Sequence, residues 1–275
     1  MMSTGWHRWV AGAALVLLVA LTAFPFYWGI VASLTPEAAL FREPSLWPTH
    51  IILDHYRALF DERDFWIPIR NSVVVAGTTT LLCIAVGSLA AYALARLEFR
   101  GKTTILSLIL AVTMFPQISI VSPLYLLLRA LRLIDTYPGL ILPYLTFAMP
   151  LAVWLLVGFF RQLPVDLEEA ALVDGATRWQ SFTRVILPVS VPALATTAIL
   201  TFIYCWNEFL FALSFTLGPE RQTVPVAIAL FRGQYQVPWG QILAAAVVAT
   251  VPVAALVLIA QRRIVQGLTA GAVKG

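Results

Sequence analysis

Charge is what this sequence has least of. Lysine, arginine, aspartate and glutamate make up 12% of its 275 residues, where a soluble domain carries about 25%. So little solvating surface excludes a water-soluble globule. Cysteine is scarce as well. Cys83 and Cys205 both lie in apolar segments, with the spacing of neither a metal site nor a disulfide framework. His7, His50 and His55 are scattered and form no cluster. The apolar stretches show no period-2 alternation, which excludes a membrane β-barrel. What remains is an all-α integral membrane protein, because helices satisfy their own backbone groups in hydrocarbon.

The chain has an apolar majority of 60% and a net charge of +4. Membrane topology explains that basic excess, since cytoplasmic loops collect Lys and Arg, and no basic tract of the kind that binds nucleic acid is present. A span needs about 20 apolar residues. Six such runs occur, at about 10–33, 72–95, 104–128, 138–160, 189–213 and 241–260. The first follows His7 and Arg8 like a secretory signal, but it is too long and no small-x-small cleavage site follows. It is a span. With the N-terminus inside, ten Lys/Arg fall on the cytoplasmic side and eight outside. Four of those eight lie in the long first outer loop, and long loops weigh little in topology. The compact Arg96, Arg100, Lys102 cluster decides the orientation. Both termini are expected in the cytoplasm. The whole chain reads as one membrane domain, with a cytoplasmic loop at 161–188 and a tail at 261–275.

Proline is plentiful inside the runs. Pro116 and Pro123 fall in the third, Pro143 and Pro150 in the fourth, Pro188 and Pro192 at the start of the fifth, and Pro252 in the sixth. Each removes a backbone donor, so bent or interrupted helices are expected there. The first outer loop, 34–70, mixes aromatic and charged residues and is expected to be ordered.

The densest polar chemistry lies in the 161–188 loop. Asp166-Leu-Glu-Glu169 has capping-box spacing and predicts a helix starting near Leu167. Gly175 supplies a left-handed residue to end it, and a second helix is expected from Arg178 to Leu187, stopped by Pro188. On the first helix Leu167, Ala170, Ala171 and Asp174 share a face. Small side chains there let another protein's backbone approach, and Glu168 and Glu169 can pair with basic residues on its rim. A helix lying on lipid would instead carry Lys and Arg, whereas this one is acidic. Docking is the better reading.

Glu169-Ala-Ala, three residues and then Gly175 resembles the EAA loop of ATP-binding-cassette importer permeases. The stretch from Glu168 through Phe182 to Ile186-Leu-Pro188 resembles the carbohydrate-uptake permeases of the maltose type. The tail Gln261-Arg-Arg-Ile-Val-Gln-Gly-Leu-Thr-Ala-Gly-Ala-Val-Lys-Gly275 is similar to that of the second, tail-bearing permease of such systems. Weaker echoes are Asn71-Ser72, Ala91-Tyr-Ala-Leu-Ala-Arg96 and Trp206-Asn-Glu208. The resemblance implies the type I importer permease fold with six transmembrane helices in a bacterial or archaeal plasma (inner) membrane. It implies a partner permease, two ATPase subunits and an extracytoplasmic sugar-binding protein, with a di- or oligosaccharide such as trehalose or maltose as cargo. This chain would hold no cofactor, ATP and Mg belonging to the ATPase. By the same resemblance Glu168, Glu169, Ala170, Ala171, Asp174 and Gly175 would couple to the ATPase, and Gln266, Gly267, Thr269, Gly271 and Lys274 of the tail would touch it.

Other motifs carry less. Gly101-Lys102-Thr103 fails as a P-loop, because Arg96 occupies the position of the first glycine. Gly267-Leu-Thr-Ala-Gly271 matches GxxxG outside any span. Polar residues at membrane depth are pathway candidates: Gln117, Ser119 and Ser122 in the third run, and Tyr204, Asn207 and Glu208 in the fifth. A ring beside amide and carboxylate groups suits a sugar; equally, these groups would suit an interface with the partner permease. A secondary transporter would need coupling-ion groups in mid-membrane, where Glu208 stands alone. A membrane enzyme would need a His, Asp or Glu cluster, and the sequence offers none.

Overall fold

The computed structural model of the chain describes residues 4–41, 46–47, 50–231 and 237–269, with side chains described from residue 8 to residue 261. In order, the helices are α1 (Thr4–Ser33), α2 (Glu37–Leu40), α3 (Asp54–Asp61), α4 (Trp66–Arg96), α5 (Lys102–Thr113), α6 (Gln117–Ala130) and α7 (Tyr137–Gln162). They continue as α8 (Asp166–Val173), α9 (Arg178–Ser181), a π-helical turn (Phe182–Ile186), α10 (Leu187–Val189), α11 (Val191–Trp206), α12 (Leu210–Phe215), α13 (Val224–Ala229) and α14 (Trp239–Thr269). No strand occurs among the described residues.

Four of these helices, α1, α4, α7 and α14, are long and apolar enough to cross a bilayer unaided. The third and fifth expected spans are bent pairs instead. α5 and α6 meet at 93°, and Arg178–Val189 meets α11 at 75°. Counting each pair as one span gives six. The first bend falls at Met114–Pro116, where Met114 and Phe115 close tight turns onto Ala111 and Val112 and Pro116 goes extended with ψ 116°. Other prolines leave their helices uninterrupted: Pro123, Pro143, Pro150 and Pro252 lie inside continuous ones. A proline costs its helix one hydrogen bond, and in α7 packing on both sides of Pro143 and Pro150 absorbs that loss.

Two compact units are distinguished. One comprises residues 1–66 and 228–251. In it Glu37 accepts from the backbone N–H of Trp239 and Gly240, both at 2.9 Å, which satisfies orphan donors at the start of α14. Arg63 donates to Gln241 at 2.6 Å and lies over the Phe231 ring. The described parts of the first outer loop are ordered in this way, with α2 and α3 as its helices.

The other unit, residues 67–227 and 252–275, centres on α7. One face of α7 packs Tyr144, Phe147 and Ala148 against Val75 and Cys83 of α4, Cys205 of α11 and Phe211 of α12. Nearer its C-terminus, Leu156, Val157 and Phe160 meet Ala91 and Tyr92 of α4 and Phe182 and Ile186 of the π turn. At the opposite end of α4, the Asn71 amide donates to the carbonyls of Glu220 and Gln222, both at 2.9 Å, while its oxygen accepts from the Tyr137 hydroxyl. Side-chain hydrogen bonds thus pin that end of α4.

Candidate functional site

The loop helix α8 spans Asp166–Val173, one residue longer at its start than the spacing predicts. Asp166 lies inside the helix, Val165 is the N-cap, and no side chain caps it, so the expected Asp166–Glu169 box does not form. The three acids of the first turn act on the helix dipole instead. A complete capping box forms eleven residues later. Thr177 Oγ1 accepts from the Gln180 N–H, and the Gln180 side chain accepts from the Thr177 N–H. Thr177-x-x-Gln180 was the legible signal for it.

Gly175 behaves as its sequence position predicts. It sits at φ +84°, its N–H bonds to Leu172 O at 3.1 Å, and the Ala176 N–H bonds to Ala171 O at 2.9 Å. These two bonds make a Schellman turn. The expected second helix begins at Arg178 but runs past Pro188 to Val189 through the π turn, in which the Leu187 N–H reaches Phe182 O. Wider i→i+5 bonding accommodates the proline without ending the helix.

The two glutamates of α8 differ in burial. Glu169 is exposed, together with Leu167, Ala170 and Asp174, while Ala171 is half-buried. Val173 is 87% exposed, and Val165 and Trp179 are exposed as well. The result is a two-turn helix with an open face of small and apolar side chains edged by carboxylates. Glu168 lies apart from that face, 6% exposed. Its Oε1 accepts from the Tyr92 hydroxyl, and its Oε2 lies 3.8 Å from Arg96 Nε. Arg96 also donates from Nη2 to Leu163 O at 2.7 Å. The rim pairing expected of Glu168 is thus made within the chain.

Among the polar residues expected along a pathway, the structure brings two together. Gln117, the first residue of α6, donates from Nε2 to the Tyr204 hydroxyl at 2.8 Å. Both line a cavity of about 360 Å³ with Phe147, Leu151 and Trp154 of α7 and Leu110 and Thr113 of α5. Phe147 and Trp154 are aromatic partners that the sequence reading missed; they lie seven residues apart on one face of α7. Ser119 and Ser122 are exposed and not among the cavity's lining residues. Asn207 is exposed and bonds back to Ile203 O at 2.8 Å. Glu208 is buried, its two oxygens accepting from the Phe211 N–H at 2.7 Å and the Ala212 N–H at 3.1 Å. It thereby satisfies two backbone donors in the first turn of α12.

Of the tail residues, Gln266, Gly267 and Thr269 lie in the backbone of α14, which extends beyond the expected span end at 260. Gly271 and Lys274 lie outside the described residues. Among the described residues no three His, Cys, Asp or Glu side chains group as metal ligands. Cys83 and Cys205 are buried free thiols within the core.

Comparison with known proteins agrees with this geometry. The chain is 48% identical to the trehalose transport system permease protein SugB of Mycobacterium tuberculosis, over 94% of this chain and 95% of that one. It is 42% identical to the trehalose/maltose transport system permease protein MalG of Thermococcus litoralis, over 97% and 96%. Its fold matches the crystal structure of a bacterial ABC transporter involved in the import of the acidic polysaccharide alginate, with a TM-score of 0.81 at 22% identity, covering 95% of this chain and 98% of that one. Residues 83–270, which include α8 and the cavity, match the family described as binding-protein-dependent transport system inner membrane component. An apolar multi-helix bundle that carries an EAA-type helix with an open face therefore belongs to that family: the chain is a multi-pass inner-membrane permease subunit of an ABC importer, a transport component that works with an ATPase and a substrate-binding protein.

Proposed function

We propose that this chain is the tail-bearing permease of a carbohydrate importer, paired with a different permease and seated on two ATPase subunits, and that its cargo is a disaccharide of the trehalose or maltose type. The orientation follows the Lys/Arg distribution, which sets α8 and both termini in the cytoplasm. ATP and Mg are held by the ATPase subunits. The observation that carries the reading is the open face of α8. Leu167, Ala170, Asp174 and the 87% exposed Val173 stand out beside Glu169 on a helix whose end is fixed by Gly175. Apolar side chains left bare outside the spans fit a protein cleft better than water.

The sugar reading rests on the relatives named above and on the cavity between α5, α6, α7 and α11. A volume of about 360 Å³ falls within the range of small-molecule sites, ~300–1,000 Å³. Aromatic faces beside an amide and a hydroxyl match a solute with apolar ring faces and many hydroxyls. Gln117 and Tyr204 are assigned to the translocation path, joined by Trp154 and Phe147. Asn207, Ser119 and Ser122 are exposed and suit the contact with the partner permease.

The test is purification of the tagged chain from its native membrane under mild detergent, followed by reconstitution with the co-purifying subunits and binding protein. An ATPase and a second permease in the eluate, together with ATP-dependent trehalose uptake, are expected. Recovery of the chain without an ATPase, even after crosslinking, overturns the docking of α8. Uptake of a non-carbohydrate in place of trehalose overturns the sugar assignment.

A further inference from the structure

Glu168 is the one buried residue of α8. A carboxylate taken out of water on an otherwise exposed helix needs compensation, and the structure shows where it comes from. Tyr92 and Arg96 are four residues apart on α4, so one face of that span presents both to Glu168. The Tyr92 ring packs on Phe182 of the π turn, centroids 4.8 Å apart. Arg96 binds the carbonyl of Leu163, the residue that ends α7. A single buried acid therefore joins the loop helix to the end of α4, beside the ends of α7 and the π turn.

Stability alone is a weak reason for such an arrangement, because apolar residues of similar volume stabilise as well as a buried ion pair or better. What a buried pair adds is direction: it fixes which residue of α8 meets which residue of α4. Without that fixed contact, a force on the exposed face of α8 would be taken up by the turns at both its ends. We propose that Glu168, Tyr92 and Arg96 form the link through which displacement of α8 is passed to the membrane span α4. They are positioning residues for transport and contribute no part of the ATPase-docking face. The proposal rests on the reading that α8 docks an ATPase.

Cutting the link should let α8 follow the ATPase while α4 lags behind it. ATP is then hydrolysed without a matching movement of solute. The experiment uses the complete transporter in proteoliposomes, with binding protein and trehalose, measuring uptake and ATP hydrolysis side by side. Tyr92→Phe and Glu168→Gln are expected to lower the trehalose moved per ATP by about fivefold, the scale of one lost hydrogen bond, with the amount of bound ATPase unchanged. A purely structural role predicts something else. Uptake and hydrolysis would fall together as assembled transporter is lost, and a constant ratio overturns the proposal. Tyr92→Phe removes a single oxygen and leaves the ring on Phe182, so it remains informative should Glu168→Gln fail to fold. A wild-type chain that binds no ATPase defeats the underlying docking reading, whereas a wild-type chain that couples and a Tyr92→Phe chain that couples equally well defeat only the link.

Discussion

Replacing Gly175 with alanine should loosen the end of α8 without any steric clash. A Cβ at this position would meet no atom within 4 Å, yet the backbone sits at φ +84°. The cost is therefore conformational, about 1–2 kcal/mol for an L-residue in the left-handed region. That strain falls on the two bonds of the turn, from Gly175 to Leu172 at 3.1 Å and from Ala176 to Ala171 at 2.9 Å. Borne locally, it raises the population of the open turn by about 5–30-fold. Amide hydrogen exchange in the full chain, embedded in a lipid nanodisc, reads this directly: residues 175 and 176 should exchange faster by that factor while α7 keeps its rates. Gly175→Asn should accelerate exchange less, because asparagine tolerates the left-handed region. Gly175→Val should accelerate it more, since a branched Cβ is worse there. Retention of the ATPase on purification should follow the same order. Equal exchange in the asparagine and valine variants would refute the conformational argument.

Three further perturbations follow from the geometry. Arg96→Ala leaves the Glu168 carboxylate buried without its cation, both side chains being under a tenth exposed, and should cost about 3–5 kcal/mol. Thermal unfolding should show Arg96→Ala/Glu168→Gln to be less destabilised than Arg96→Ala alone. Glu208→Ala removes the acceptors of two buried N–H groups at the start of α12 and should lower stability by about 1–3 kcal/mol. If Glu208 acts as a cap, the KM for sugar uptake by the surviving transporter stays unchanged. Trp154→Ala, in contrast, should raise that KM several-fold with little change in stability, since it lines the cavity and is half exposed. Gln117→Ala and Tyr204→Phe should act alike, each breaking the same hydrogen bond.

Hydropathy made the spans legible because burial in lipid is a property of composition. The run at 138–160 became α7, Tyr137–Gln162, and the run at 72–95 became α4, Trp66–Arg96. Direction is another matter. Nothing in a count of apolar residues distinguishes the run that turns by 93° at Pro116 from the run that continues as one helix through Pro143 and Pro150. The first carries two prolines and the second three, Pro138 at its start included. Between these two runs the difference is packing on both sides of the missing hydrogen bonds. α7 has that packing in both core clusters, while the residues around Met114–Pro116 are exposed.

The loop shows the same division at single-residue scale. Gly175 was legible because a left-handed turn needs glycine or asparagine, a local requirement written in local sequence. The roles of Glu168 and Glu169 were not. Adjacent residues on a helix point about 100° apart, so only one of two neighbouring glutamates can face inward, and α8 contains nothing that says which. The choice is made by a hydroxyl and a guanidinium on α4, with Tyr92 standing 76 positions earlier in the chain. Turning α8 by one residue would bury Glu169 and expose Glu168, leaving the composition of the loop untouched and exchanging the docking carboxylate for the anchoring one. A charge-reversed Glu169→Lys chain separates the two roles. It should weaken ATPase binding in a salt-dependent way, because Glu169 is exposed and a charge pair made there would be screened, and it should leave the Tyr92–Glu168–Arg96 contacts and the unfolding temperature intact. A large fall in unfolding temperature would mean that Glu169, and not Glu168, anchors the helix.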